Sequence, residues 1–180
     1  MSVVERNVCV LMATEQLDLA PSFAMPSGFK MRWFKPGDEA TWLAIEQSAE
    51  HLKSIDKTLF FREFGDDLER LSQRVAFLTD AFSKEMGTIS AWNDAEYNGR
   101  EYGRIHWVAL VPEIQGRGLA KPLMSAACER LIELGHNKAY LVTQISRLPA
   151  INLYRLFGFE PVVRNEEERT LWQELTPYLK

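Results

Sequence analysis

The sequence predicts a mixed α/β protein in which helices flank a central, mostly antiparallel sheet, and three features carry that expectation. Residues 75–79, 86–92 and 102–111 form three strand-like runs in succession, rich in β-branched and apolar side chains and joined by polar segments that suit antiparallel hairpins. Directly after them, Leu119, Leu123, Ala127, Leu131 and Leu134 recur at helical spacing. A strand at 139–143 and a helix at 148–157 then follow, and strands with helices interposed build a mixed α/β sheet.

Each element has its own justification in chain order. Residues 1–26 hold one short apolar run, Val8 to Ala13, ahead of Pro21 and Pro26, and read as an N-terminal arm or extra strand preceding a domain at 27–180. A strand at 29–34 leads through Pro36-Gly37 into a helix reaching about His51, with Asp38 placed to cap it by accepting a first-turn amide. Residues 59–73 are helical in two pieces broken at Gly65, and Asp66 is placed to cap the second. Among the links between the three strands, 93–100 is long enough to project. The helix at 117–134 carries Pro122, whose missing N–H forfeits a bond to the carbonyl of residue 118. A short strand is expected at 161–163, and 166–180 fits helix or strand equally.

With 180 residues, 46% of them hydrophobic, the chain can bury one sizeable core without a metal or disulfide staple. Cys9 and Cys128 have no paired spacing, and Cys128 lies near the apolar stripe of its helix, so a buried structural thiol in reducing, cytoplasmic surroundings is expected. The N-terminus shows no basic region followed by a long apolar core, and no apolar run approaches membrane-spanning length. A net charge of −4 argues against general binding to nucleic acid or anionic membrane. Local charge differs: Arg117, Lys121, Arg147 and Arg155 can form a basic fringe, or stand as solvated surface charges.

The most informative stretch is Val111 to Ala120, where a strand ends at Pro112 and a glycine-broken turn opens into a helix. Unpaired amides in the first turn of a helix, backed by the positive end of its dipole, attract anions, and Gly116 and Gly118 let a phosphate approach the backbone. No Gly-Lys-Ser/Thr follows, which excludes a P-loop, and Lys121 occupies the place of a third dinucleotide-fold glycine. What remains is Gln-x-x-Gly-x-Ala at Gln115, Gly118 and Ala120. It resembles the acyl-CoA-binding motif of the GNAT N-acetyltransferases.

That resemblance extends along the chain. Pro149 to Phe159 is similar to the family's helix ending Ala-x-x-x-Tyr-x-x-x-Gly-Phe, here Ala150, Tyr154, Gly158 and Phe159, and Phe29 to Asp38 is similar to its first strand and turn. Together the similarity covers about Gly28 to Arg164. The resemblance implies the GNAT fold and transfer of an acetyl group from acetyl-CoA, a cosubstrate, to a primary amine of a small molecule or peptide, without a metal; it admits a homodimer. A non-catalytic acyl-CoA-binding or sensing module is the rival reading.

The resemblance also implies roles. Leu110, Val111, Gln115, Gly116, Arg117, Gly118, Leu119 and Ala120 would bind the cofactor, with backbone groups at Leu110 and Val111 pairing with pantetheine amides where the strand splays from its parallel neighbour. An asparagine common in the family is replaced by Arg147, which can reach a phosphate instead; Asn152 is out of register. Tyr154 would protonate the thiolate, or else simply packs against the sheet. His106 is the candidate base: four residues before Leu110, it is expected on the same strand face, with Trp107 pointing the other way. An imidazole with a pKa of about 6.5 can accept a proton at physiological pH, and a hydrogen-bonded structural histidine is the alternative. Glu101 and Asp94 are fallback bases. Of Trp33, Trp42, Phe60, Phe61, Phe64, Trp92 and Trp107, most are expected in the core.

Overall fold

A computed structural model describes residues 2–50, 54–98 and 101–180. Among the described residues, seven strands form one mixed sheet in the order β2-β3-β4-β5-β6-β1-β7, namely β1 (Cys9–Thr14), β2 (Lys30–Trp33), β3 (Val75–Thr79), β4 (Glu85–Asn93), β5 (Gly103–Leu110), β6 (Ala139–Gln144) and β7 (Glu160–Pro161). The helices are α1 (Glu39–Ala49), α2 (Leu59–Phe64), α3 (Leu68–Arg74), α4 (Ala120–Glu133), α5 (Leu148–Leu156) and α6 (Glu166–Leu175). No helix among the described residues is long and apolar enough to cross a membrane. The mixed, largely antiparallel α/β class expected from the sequence is the one observed. The chain divides into two compact units, Ser22–Trp92 with Ile105–Arg130, and Met1–Pro21 with Asn93–Arg104 and Leu131–Lys180.

In the first of these units β3 pairs antiparallel with β2 and β4, and every residue of β3 is buried, as its unbroken Val-Ala-Phe-Leu-Thr run requires. Phe34, Trp42, Phe60, Phe64, Phe77, Trp92 and Ala109 belong to one apolar cluster built on α1, α2 and α3. Trp42 is at its centre, edge-on to Phe60, Phe64 and Trp107 at ring distances of 5.4, 5.4 and 5.3 Å. Phe61 is half exposed, and Trp33 lies beneath the Arg130 guanidinium at 4.9 Å.

Two caps differ from expectation. Asp38 makes no side-chain bond to a first-turn amide of α1; it takes Arg32 at 2.6 and 3.0 Å and the Lys35 amide at 2.7 Å. Burial pushes the Asp38 carboxyl up, but Arg32 and the Lys35 amide outweigh it and hold the group low. The tertiary ion pair therefore takes the oxygen that capping would use. For α3 the cap is Asp67, which accepts from the Arg70 amide at 3.1 Å, one residue beyond Asp66. The break before it is at Gly65, with φ 72°. Helix α1 ends at Ala49, and His51 lies outside the described residues.

In the other unit β6 pairs antiparallel with β1 over six residues, from Cys9↔Gln144 to Thr14↔Ala139, and β1 pairs with β7. The first two residues of β5 run parallel to β6, at Gly103↔Ala139 and Arg104↔Tyr140. The ambiguous C-terminal segment is helical. Asn165 caps α6 by accepting from the Glu168 amide at 2.9 Å, and Trp172 and Leu175 turn inward.

Candidate active site

The turn after β5 is built by two left-handed glycines. Gly116 has φ 72° and Gly118 φ 78°, and a Cβ added at either would meet nothing within 4 Å, so backbone conformation, not crowding, selects glycine there. A short 3-10 turn, Pro112–Ile114, precedes them and buries Ile114. Helix α4 begins at Ala120, three residues later than expected. Pro122 therefore falls in the first turn, where an N–H would be unpaired in any case, and it costs the helix little. The carbonyl of Gly118 accepts instead from Lys121 at 3.2 Å. Among the described residues, the amides of Gly116, Arg117, Gly118, Leu119 and Ala120 donate to no backbone carbonyl. A run of unsatisfied donors ahead of a fourteen-residue helix fits the phosphates of a nucleotide-like anion.

The side chains around this turn are already organised. Gln115 donates from Nε2 to the Leu110 carbonyl at 2.8 Å, tying the turn back to the end of β5. The Val111 amide donates to the Met86 carbonyl at 2.9 Å, and the Val111 carbonyl accepts from Ile114 at 3.1 Å. Leu119 is buried. Arg117 lies over the Phe29 ring at 5.4 Å and Lys121 over the Phe23 ring at 5.3 Å, which holds both cations beside the turn.

His106 and Trp107 break the strand's alternation. Trp107 has φ 49°, an outlier for a bulky residue in a strand, and the left-handed backbone there brings consecutive side chains to one place. His106 Nε2 lies 3.0 Å from Glu63 Oε2, and Trp107 Nε1 donates to the same oxygen at 3.1 Å. The expectation that Trp107 points away from His106 is thus overturned. So is the expectation that His106 and Leu110 share a face: alternation resumes at Trp107, Ala109 and Val111, which meet the aromatic cluster, leaving His106 out of phase with Leu110. Glu63 was not among the residues singled out from the sequence. Its signal was there, since in α2 the spacing Phe60, Glu63, Phe64 puts a carboxylate on the buried face.

Asp94 and Glu101 are committed elsewhere. Burial pushes the Asp94 carboxyl up, yet the Tyr140 hydroxyl and the Arg104 guanidinium, 2.7 Å away, hold it below the usual range. Such a carboxylate is a poor base. Glu101 pairs with Lys138 at 2.8 Å.

Tyr154 and Arg147 belong to the unit that holds α5. Tyr154 is buried, with its ring edge-on to Phe159 at 6.5 Å. The Gly-Phe signature beyond it is a helix stop: Gly158, at φ 81°, lets the Phe159 amide reach the Tyr154 carbonyl at 3.1 Å while the Gly158 amide reaches Arg155 at 2.9 Å. Those two bonds fix the end of α5 and bury Phe159 completely. Arg147 precedes the helix and donates from Nε to Gln144 Oε1. Asn152 accepts from the Lys180 amide at 2.9 Å and so holds the C-terminal residue.

Comparison with known proteins agrees with this architecture. A sequence model of the Acetyltransferase (GNAT) family matches residues 38–159, which span α1 to α5 and include the glycine turn. The mycothiol acetyltransferase of Pseudarthrobacter chlorophenolicus is 32% identical over 155 residues, covering 82% of this chain and 47% of that protein. Its namesake from Saccharomonospora viridis is 28% identical, covering 87% and 54%. The chain thus spans about half the length of the curated relatives it matches. Among solved structures, a GCN5-related N-acetyltransferase from Sphaerobacter thermophilus superposes with a TM-score of 0.68 at 23% identity, over 87% of this chain and 50% of that one. With the matched segment covering well over half of its residues and the fold in agreement, the chain belongs to the GNAT acetyltransferase family.

Proposed function

We propose that the chain is an N-acetyltransferase that moves the acetyl group of acetyl-CoA directly to the primary amine of a small molecule or peptide. The observation that supports this most is the run of unsatisfied amides from Gly116 to Ala120 at the start of α4, in a chain of the GNAT family. When bound, acetyl-CoA supplies the acetyl group as an activated thioester. The turn amides hold its pyrophosphate, with Arg117 beside them and Arg147 as a further phosphate contact. The Leu110 carbonyl has one lone pair taken by Gln115 and keeps a second for a pantetheine amide. His106 takes a proton from the attacking neutral amine, directly or through one water, as the nitrogen lone pair forms the new N–C bond and the C–S bond breaks. Tyr154 gives its hydroxyl proton to the departing sulfur and recovers one from solvent, while His106 returns its own.

The test is calorimetric titration with acetyl-CoA, followed by chromatographic detection of free coenzyme A over a panel of amines. Because the relatives are named for mycothiol, thiol-bearing amines belong in that panel. Micromolar binding with amine-dependent release is expected. Binding without release on any amine favours the acyl-CoA-binding module, and absence of binding refutes both.

A further inference from the structure

We propose that Glu63 is a positioning residue that acts through His106, holding the imidazole and stabilising the imidazolium formed when the acceptor's proton arrives. This rests on the reading of His106 as the base. The geometry is specific. A strand that alternated normally would send His106 and Trp107 to opposite faces. Here the left-handed turn of the backbone at Trp107 delivers both rings to one oxygen of one carboxylate, at 3.0 and 3.1 Å. Strained backbone of this kind persists only where its surroundings hold it, and the holding groups are identifiable. Trp107 is pinned by Glu63 through its N–H and by Trp42 at 5.3 Å, and His106 is bounded by Phe64, edge-on at 5.5 Å.

The arrangement divides labour between two neighbours. The Trp107 N–H fixes the Glu63 oxygen, and the fixed oxygen in turn fixes the imidazole at Nε2. The neutral ring keeps its single proton toward the carboxylate. A second ring proton, taken from the amine, makes a cation that faces an anion in a site where the His106 side chain is 10% exposed and Glu63 27%. Of the other charged groups on α2, Arg62 lies 4.0 Å from the second Glu63 oxygen and is 57% exposed, so solvent screens most of its opposing effect.

Glu63→Gln keeps the size of the side chain and an oxygen for Trp107 while removing the charge. With the best amine of the panel, the acidic limb of kcat/KM should move down by about one to two pH units, the effect of losing an adjacent opposite charge. The His106 ring signals in an NMR titration of the unliganded protein should move by the same amount, a readout that needs no turnover. Glu63→Asp, which retains the charge, should leave the limb within about half a unit, and serves if the glutamine variant fails to fold. His106→Gln should abolish the limb. A His106→Gln enzyme that keeps the wild-type limb removes the base reading and the Glu63 role together. Loss of the limb in His106→Gln, with the limb and ring titration unmoved in Glu63→Gln, removes the Glu63 role alone.

Discussion

Replacing Gly118 by alanine separates the two things that glycine does in the turn. At φ 78° an L-residue is strained by about 1–2 kcal/mol, and relief of unfolded-chain entropy returns about half of that. No atom lies within 4 Å of the added Cβ, so no clash adds to the cost. Gly37, at φ 96° in the turn before α1, is equally exposed and equally open around its Cβ, which makes Gly37→Ala the matched control. Each variant should lose about 1 kcal/mol, or roughly 2–4 °C in melting temperature for a chain of this size. Only Gly118→Ala should lose acetyl-CoA, because relaxing φ there turns the amides of Gly118 and Leu119 away from a common anion. One or two hydrogen bonds to a charged group, at about 1.5–3 kcal/mol each, correspond to a weakening of at least about tenfold. Thermal melts and calorimetric titration of both variants read the two effects side by side. Equal acetyl-CoA affinity in Gly118→Ala and Gly37→Ala would refute the turn as the anion site.

Three further outcomes are expected. Tyr154→Phe should lower turnover by about a hundredfold or more while leaving acetyl-CoA affinity within about twofold, and unchanged turnover would dismiss the hydroxyl as the acid. Asp94, held low in the folded state by Tyr140 and Arg104 against the upward push of burial, contributes stability that is present above the unfolded carboxyl's pKa of about 3.9 and lost as pH falls through its lower folded value. The stability gap between wild type and Asp94→Asn in urea should therefore shrink below about pH 4, and a gap constant down to pH 2 would contradict that pairing. Burial, aided by Glu129, pushes the Cys128 thiol up to about 12, while Cys9 is exposed, so a thiol reagent at pH 8 should modify one cysteine quickly in the native protein and both after denaturation.

Pattern and spacing made most of the fold legible because they report on what each segment buries. The five-residue run of β3, the helical stripe of Leu123, Ala127 and Leu131 and the two pieces split at Gly65 depend on local periodicity and a single flexible residue, and these lie where the sequence puts them. The glycine turn was legible for the same reason, since left-handed backbone at Gly116 and Gly118 is a local demand. Errors arose where a side chain had a choice between a local and a distant partner. Asp38 could cap α1 or meet Arg32, and the charged partner at 2.6 Å, together with the Lys35 amide at 2.7 Å, holds the carboxylate away from the first turn.

The left-handed backbone at Trp107 is the deepest case. Nothing in Ile105-His106-Trp107-Val108 departs from strand composition, and period two assigns His106 and Trp107 to opposite faces. The left-handed conformation is paid for by contacts more than forty residues away in sequence, with Glu63 in α2 and Trp42 in α1, so only the folded chain contains the information. What sequence did offer was indirect: a glutamate between Phe60 and Phe64 on the inward face of a short helix needs a donor across the packing boundary. Two N–H-bearing rings in succession on β5 are the donors it finds. A charged residue at a buried helical position therefore points to the strand beside it, and irregularity in that strand is where its partners are to be sought.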